Sequence, residues 1–287
     1  MSAEQLRELI DAPGATLLAG CYDGVSARLV QQAGFQGAHM SGFAVAGSLL
    51  GQPDVGLLTL TEMADAASRL ARVLGIPLLA DADTGYGNAL NVCRTVELYV
   101  GGGVAGLHLE DQQMPKRCGH LDGKTVISAD EMSGKIRAAI DTRERVGADI
   151  VIVARTDARS LEGLDAALER SRQYRDAGAD VLFVEALQSG AEVEAVAREL
   201  DDVPLIFNAS EARPSDFSLD ELGDLGFALV LAPITSLLSA TKAMGLALAD
   251  LQKTGLHSER LSRLASYDEF LALVGIADID DQERRYS

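Results

Sequence analysis

Basic residues are scarce in this chain. Its 287 residues include 25 Lys and Arg against 43 Asp and Glu, which gives a formal net charge of −18. A surface of that sign repels phosphate backbones and anionic headgroups, so nucleic acids and membrane surfaces are not expected partners. An anionic substrate would have to be attracted by local cations and by a metal ion.

The chain also has few cysteines and no uninterrupted hydrophobic run. Three cysteines are too few, and odd in number, for a disulfide framework, and the charged N-terminal segment has no apolar signal core. The most apolar stretch, residues 227–251, is interrupted by Pro233 and Lys242, so we interpret it as a buried strand followed by a core helix. These absences favour a cytoplasmic protein.

Nucleotide-binding motifs are absent as well. No G-x-x-x-x-G-K-[ST] occurs, and the G-x-G-x-x-G at 101–106 precedes an apolar run, whereas a dinucleotide fingerprint follows a strand and opens a helix.

Short apolar runs alternate with segments of helical periodicity along most of the chain, which is typical of repeated βα units. The predicted strands are 16–19, 37–40, 77–82, 104–109, 150–154, 181–184, 205–207 and 229–232, with helices near 24–33, 60–74, 89–100, 129–145, 163–177, 191–200 and 219–225. A long helix is predicted from Thr235 to about Lys253, followed by one or two short helices. We therefore predict an α/β protein, a single (β/α)8 TIM-type barrel domain over 1–287, in which 235–287 is a C-terminal helical extension.

Polar residues stand directly after most of the apolar runs. In an α/β barrel the reactive groups come from these carboxyl ends of the strands, so the pattern favours an active site over a scatter of solvated loop residues. The residues concerned are Ser41, Asp81, Asp83, Glu110, Asp111, Arg155, Glu185, Asn208, Ser210 and Glu211.

Asp81, Asp83 and Glu110 form a candidate metal site. The two aspartates could be turn formers, but residues i and i+2 point the same way if strand geometry persists, and Glu110 ends the neighbouring strand. Carboxylates suit Mg²⁺, which takes few protein ligands and keeps several waters, and Mn²⁺ can substitute for it.

Cys118 is the candidate acid/base residue. A cysteine is by default a small hydrophobe, but Lys116, Arg117 and His120 surround this one, and nearby positive charge favours a thiolate. The other histidines and cysteines are assigned to packing or to the surface: Cys21, Cys93, His39 and His108 to the core, and His257 to an exposed position.

Five segments resemble the isocitrate lyase and phosphoenolpyruvate mutase superfamily. They are Asp81-Ala-Asp-Thr-Gly-Tyr-Gly-Asn88, Glu110-Asp-Gln112, Pro115-Lys-Arg-Cys-Gly-His120, Ala154-Arg-Thr-Asp-Ala158 and Glu185-Ala186. The resemblance spans nearly the whole chain. Within the superfamily, the chain is similar to the methylisocitrate lyase and carboxyphosphonoenolpyruvate mutase branches. The resemblance implies an α/β barrel whose last helices are exchanged between subunits of a dimer or tetramer, Mg²⁺ dependence, and a loop over 113–125 that closes on a bound 2-oxo or 2-hydroxy dicarboxylate.

The resemblance also implies roles for individual residues. The metal ligands would be Asp81, Asp83 and Glu110, held directly or through water. The catalytic group would comprise Cys118, Lys116, Arg117 and His120, and Cys118 would exchange a proton with the substrate carbanion. The substrate would be bound by Ser41, Gly42, Phe43, Gly119, Arg155, Glu185, Asn208, Ser210 and Glu211.

Departures from the family pattern narrow the expected substrate. Methylisocitrate lyases resembling this chain carry two arginines at positions occupied here by Leu238 and about Tyr267, and the loop after Asn208 reads Glu211-Ala-Arg213. We therefore expect a carbon–carbon lyase for a 2-hydroxydicarboxylate such as a substituted malate, with a tricarboxylate disfavoured. A phosphonomutase acting on a P–C bond, an oxaloacetate hydrolase and a non-catalytic binding barrel are the alternatives.

Overall fold

Eight parallel strands form a closed barrel in the computed structural model, which describes residues 3–255 and 262–287. The strands are β1 Thr16–Cys21, β2 Ala38–Met40, β3 Leu78–Asp81, β4 Gly106–Glu110, β5 Val151–Thr156, β6 Val181–Val184, β7 Leu205–Asn208 and β8 Phe227–Ala232. Each strand pairs with the next in the chain and β8 closes on β1, so the predicted (β/α)8 architecture is confirmed.

Helices flank the strands of the barrel, and most of them lie between one strand and the next in the chain. They are α1 Ala3–Asp11, α2 Gly24–Gln32, α3 Gly42–Leu50, α4 Leu60–Val73, α5 Ala89–Gly102, α6 Ala129–Val146, α7 Arg159–Glu162, α8 Leu164–Asp176, α9 Gly190–Glu199, α10 Leu219–Asp224, α11 Thr235–Thr254, α12 Tyr267–Val274 and α13 Ile276–Tyr286. The sequence prediction missed α3 and the short α7. Helix α3 begins at the N-cap Ser41 and contains two glycines and no charged residue, so its sequence lacks the amphipathic pattern of the other outer helices.

Strand periodicity decides which side chains face the barrel interior. Alternate residues of each strand share one face, and the inner face of β5 carries Val151 and Val153 in the interior cluster before it reaches Arg155. The parallel registers set Asp81 beside His108 and Glu110 beside Arg155. The interior is therefore apolar at one end and charged at the carboxyl ends of the strands.

Helix α1 closes the opposite end of the barrel. Leu6 and Ile10 are buried in the interior cluster together with strand residues such as Leu79 and Val151. Arg7 on the same helix pairs with Asp149 at 2.8 Å, ahead of β5. The N-terminal helix thus seals the apolar layer away from solvent.

The three C-terminal helices carry apolar side chains that the chain does not bury. No residue of α11 is buried, although Met244, Leu246 and Leu248 lie on it, and α12 contacts α2. His257, expected at the surface, lies outside the described residues. Within the described ranges no helix is both long and apolar enough to span a membrane. The cytoplasmic location and the exchange of 235–287 between subunits stay predictions.

Replacing Leu6 tests the role of α1. Leu6 is fully buried, and we expect Leu6→Ala to lower the free energy of unfolding by about 2–5 kcal/mol, because the deletion leaves a cavity in the barrel interior. Urea denaturation measures this change against the exposed control Glu8→Ala on the same helix. Equal stabilities of the two variants would contradict a sealing role for α1.

Candidate active site

A cavity opens at the carboxyl ends of the strands, and it brings together most of the predicted site residues. Twelve of the sixteen line it: Ser41, Phe43, Asp81, Glu110, Lys116, Cys118, Gly119, His120, Arg155, Glu185, Asn208 and Ser210. These side chains come from several strand ends and from the loop between β4 and α6, so residues far apart in the sequence share one space.

Four predicted site residues do not line this cavity. Gly42 donates its backbone N–H to Asp81 Oδ2 at 3.2 Å, and a side chain on Gly42 would collide with that carboxylate. Arg117 is exposed and donates to the carbonyl of Asp122 at 3.2 Å. Asp83 is buried and pairs with Lys116, which lines the cavity. Glu211 accepts hydrogen bonds from the Ile234 N–H and the Thr235 hydroxyl at the start of α11. Their predicted roles toward a substrate or a metal stay predictions.

Buried negative charge dominates this end of the barrel. Among the described residues seven carboxylates are buried, namely Asp54, Asp81, Asp83, Glu110, Asp111, Asp157 and Glu185. Four cations are buried with them, namely Lys116, Lys124, Lys135 and Arg155. An uncompensated charge in a low-dielectric interior is costly, so the excess of carboxylates favours either proton uptake or a bound cation.

The two aspartates of the candidate metal site do not point the same way. Strand β3 ends at Asp81, and Asp83 adopts a left-handed backbone with φ +46°, so the strand geometry that would align the two carboxylates does not persist, and the turn alternative applies to Asp83. Asp81 Oδ1 accepts the Asp83 N–H at 2.9 Å, while Asp83 Oδ1 pairs with Lys116 Nζ at 2.7 Å. The chain turns after Ala82, where the Gly85 N–H donates to the Ala82 carbonyl at 2.9 Å. The Asp83 carboxylate therefore lies beside Lys116 of the following loop.

The carboxyl groups of the cluster differ in pKa. Burial alone would raise the pKa of Asp81, but His108, Lys116 and Arg155 outweigh burial and hold it below its usual range. Burial raises the pKa of Asp83 to about 6, against the opposing effect of Lys116. Burial also raises the pKa of Glu110, whose Oε1 has no hydrogen-bond partner. A proton or a cation is thus drawn to Asp83 and Glu110.

Asp54 is a site residue that the sequence patterns did not reveal. Its two carboxylate oxygens each lie 2.7 Å from Lys116 Nζ, and it lines the cavity. It belongs to the loop between α3 and α4, and not to a strand end, so the rule that identified the other residues could not find it. Only the apolar setting of a lone acid in Gln52-Pro-Asp-Val55 hinted at burial.

The residues present fit a hydrated magnesium ion better than a closed cage of ligands. Within 3–255 and 262–287, no group of three His, Cys, Asp or Glu side chains converges tightly enough to hold a metal alone. The Lys116 ammonium takes the place beside Asp83 that a third direct ligand would need. Asp81 and the Glu110 Oε1 atom, which has no hydrogen-bond partner in the described part of the chain, remain as possible direct ligands. Two protein ligands suit Mg²⁺, because this ion keeps several of its waters.

Arg155 presents one edge of its guanidinium to the protein. Its Nε and Nη2 donate to Asp157 at 2.9 and 3.0 Å, and it stacks over the Phe183 ring at 5.2 Å from the ring centroid. Glu110 and Glu185 lie 3.5 and 3.8 Å away. The surrounding carboxylates raise the pKa of the guanidinium and keep it charged, and Arg155 lines the cavity.

His39 and His108 form a pair on the cavity floor. Both are buried, as expected for core residues, but they also line the cavity, and their Nε2 atoms are 3.1 Å apart. Among the described residues neither Nδ1 has a hydrogen-bond partner, although His108 Nδ1 lies 3.5 Å from Asp81 Oδ1, so each core histidine is satisfied at one ring nitrogen only. Burial lowers the pKa of both, that of His39 to about 3, and the pair is therefore neutral near pH 7.

Cys118 is a neutral thiol, and not the thiolate that its neighbours suggested. Burial raises the pKa of the Cys118 thiol and outweighs the lowering effects of the His120 N–H, Arg155 and Lys116. Sequence proximity of cations was misleading at this position, since the Lys116 ammonium is paired with Asp54 and Asp83 and the desolvation of the sulfur dominates. A protonated sulfur in this cavity suits a proton donor.

An α/β barrel that gathers carboxylates, a buried arginine and a protonated cysteine at its strand ends is a barrel enzyme with a site for a small anion. The model of the phosphoenolpyruvate phosphomutase family matches residues 6–252. The chain is 39% identical to 2,3-dimethylmalate lyase of Eubacterium barkeri, covering 100% of this chain and 98% of the relative. It is 43% identical to a probable 2-methylisocitrate lyase of Corynebacterium glutamicum, covering 93% and 89%.

The fold of the chain is also similar to solved structures over nearly its whole length. Oxaloacetate acetylhydrolase in complex with 3,3-difluorooxalacetate superposes with a TM-score of 0.93 at 36% identity, covering 99% of this chain and 96% of that one. Phosphonopyruvate hydrolase complexed with oxalate and Mg²⁺ superposes with a TM-score of 0.90 at 28% identity, covering 100% and 99%. The chain belongs to the phosphoenolpyruvate phosphomutase family, within the isocitrate lyase and phosphoenolpyruvate mutase superfamily of divalent-metal-dependent lyases and mutases.

The pH dependence of Cys118 alkylation tests its protonation state. Only the thiolate reacts with iodoacetamide, so a raised pKa predicts a rate that is half-maximal above the ordinary thiol value of about 8.5. The measurement uses a Cys93→Ser background, and buried Cys21, with its pKa raised to about 12, stays silent. A half-maximal rate below about pH 8 would restore the thiolate expectation.

Proposed function

We propose that the protein cleaves the C2–C3 bond of an alkyl-substituted 2-hydroxydicarboxylate of the malate type, giving a 2-oxo acid and a second carboxylate. The observation that carries this proposal is one cavity in which Asp81, Glu110 and Arg155 face the Cys118 thiol. The similarity to 2,3-dimethylmalate lyase supports it.

The apolar part of the cavity supports an alkyl-substituted substrate. Phe43, Leu121, Leu231, Pro233 and Ile234 line the same space that holds the charged groups. Burying methyl groups against such a wall is favourable, by about 0.8 kcal/mol for each CH₂ removed from water. Small alkyl groups on the substrate would therefore raise its affinity.

The small number of cationic side chains in the cavity argues against a tricarboxylate substrate. Arg155 and Lys116 are the Arg and Lys side chains that line the cavity within the described part of the chain, and Lys116 is already paired with Asp54 and Asp83. Leu238 and Tyr267 stand where methylisocitrate lyases carry arginines, and both are exposed. A third substrate carboxylate would have no matched cation.

The chemistry needs one proton removed and one proton delivered. The substrate hydroxyl gives its proton to water or to a cavity carboxylate that does not hold the metal. The C2–C3 bond then breaks, C2 becomes a carbonyl, and the electron pair stays on C3. The Cys118 thiol protonates C3 and recovers its proton from the carboxylic acid or from water.

Asp81 and Glu110, with Asp83 through water, would hold the metal. When bound, Mg²⁺ would supply positive charge that stabilises the negative charge developing on the substrate oxygen. Ser41, at the N-terminus of α3, and Arg155 would bind the substrate carboxylates. Asn208 and Glu185, joined by a 3.0 Å hydrogen bond, would contact the far end of the molecule.

A substrate panel tests this function. We expect turnover of 2,3-dimethylmalate with Mg²⁺, loss of turnover with a chelator, and slower or no turnover of 2-methylisocitrate, oxaloacetate and phosphonopyruvate, because only the first matches both the apolar wall and the limited cations. Products are identified by mass spectrometry. Preferred turnover of oxaloacetate or phosphonopyruvate would replace the lyase assignment with hydrolase or mutase activity.

Within the same panel, Cys118→Ser is expected to lower kcat by about 10²- to 10⁴-fold, the usual contribution of a general acid. Cys93→Ser, on the outer helix α5, is the matched control. Parental activity in Cys118→Ser would exclude the thiol as proton donor.

We further propose that α11 to α13 pack on a second copy of the chain, with exchange of residues 235–287 between subunits. In an α/β barrel the helix after the last strand normally packs against its neighbours, but α11 leaves Leu238, Met244, Leu246 and Leu248 exposed. Tyr267 and Phe270 on α12 add to the exposed apolar side chains of this C-terminal segment. Exposed apolar clusters of this kind typically mark interfaces.

Charge substitutions on α11 test the interface. We expect the parent chain to be a dimer or tetramer by light scattering, and Leu246→Glu with Leu248→Glu to shift it to smaller species, because buried charges oppose association. The exposed Glu194→Gln on α9 serves as a control. A monomeric parent, or an unchanged assembly in the double variant, would contradict the proposal.

A further inference from the structure

We propose that Lys124 is a positioning residue that holds loop 113–125 against Arg155 and thereby fixes the orientation of the Arg155 guanidinium. The proposal rests on the proposed function in assigning Cys118 and Arg155 to the substrate. Its structural part concerns only how the loop is held.

The loop is fixed at its base and across its span. Gln112 and Val126 form an antiparallel bridge, and the Gln113 N–H donates to the Thr125 carbonyl at 2.8 Å. Above this base the buried Lys124 ammonium donates to the carbonyl of Gly119, next to Cys118. Lys124 thus determines where the backbone of the reactive segment lies.

Lys124 also faces the carboxylate that orients Arg155. Its Nζ lies 3.9 Å from Asp157 Oδ1, and Asp157 is completely buried. The Asp157 N–H is fixed in turn by Asp111 Oδ1 at 2.9 Å. Because Asp157 binds Arg155 through two hydrogen bonds, one carboxylate is shared by the loop cation and the substrate-facing cation.

Besides the link through Lys124 and Asp157, the loop backbone at Gly119 packs directly against Arg155. A Cβ built on Gly119 would lie 2.7 Å from Arg155 Nη2 and 2.9 Å from Glu185 Cγ, so the loop backbone rests directly on these side chains. A shift of the loop therefore alters the space around the Arg155 guanidinium, and a side chain at position 119 would displace Arg155 or Glu185.

Removing the ammonium should release the loop. Without Lys124 the Gly119 carbonyl loses its donor, and Asp157 loses one of its two neighbouring cations. The loss of a buried hydrogen bond to a charged group shifts an opening equilibrium by about tenfold or more. The half-buried Cys118 then becomes more accessible.

Alkylation of Cys118 by iodoacetamide in the Cys93→Ser background measures this release without any substrate. We expect Lys124→Met to raise the pH-independent alkylation rate about tenfold and Lys124→Arg to restore most of the parental rate. Arg198→Met removes an exposed cation far from the loop and is expected to change nothing. Lys124→Gln provides a second removal of the charge if Lys124→Met does not fold.

Kinetics supply a readout that a general loss of stability would not move. With a substrate from the panel, Lys124→Met is expected to raise KM more than it lowers kcat per folded molecule, because Arg155 loses its orientation. Unchanged alkylation in both charge-removing variants would overturn the proposal. If the parent turns over no panel substrate, the proposed function fails, while the alkylation rates still decide the role of Lys124.

Discussion

The accumulation of buried carboxylates at one end of the barrel is the constraint on which the rest of the site depends. Seven such groups face four buried cations in the described part of the chain. Lys116 pairs with Asp54 and Asp83, and Arg155 pairs with Asp157. Asp81 and Glu110 are less closely paired, at 3.5 Å from His108 and Arg155 respectively, and a divalent ion bound there would stabilise their charged forms. Such an ion would offset the buried negative charge and would also supply positive charge for the reaction.

The fold and most of the site could be predicted because strand periodicity is a local property of the sequence. In a parallel barrel every second residue faces inward, and all strands end at the same rim, so a polar residue after an apolar run is placed at the rim without knowledge of the tertiary structure. Asp81, Glu110, Arg155 and Glu185 follow this rule. The family resemblance added the roles of the Cys118 loop, which has no strand periodicity.

The missed features depend on tertiary contacts or on backbone turns that no local pattern encodes. Asp54 reaches the cavity from a helix connection, and its partner Lys116 is 62 residues away. The carboxylate of Asp83 does not point the same way as that of Asp81, because the Asp83 backbone is left-handed. A strand pattern in the sequence does not predict such a turn. The pKa of the Cys118 thiol is raised because burial of the sulfur outweighs the nearby cations, and burial of a loop residue is not encoded locally. His39 and His108 were correctly placed in the interior, but their unpaired nitrogens on the cavity floor require knowledge of the register between strands.

Calorimetric titration with Mg²⁺ tests whether the excess buried charge around Asp81 and Glu110 is a cation site. We expect one Mg²⁺ to bind to each parent chain and binding to be lost in Asp81→Asn, while the exposed Asp65→Asn retains parental binding. Equal Mg²⁺ binding by the parent and Asp81→Asn, or no binding by the parent, would show that the buried carboxylates do not form this site.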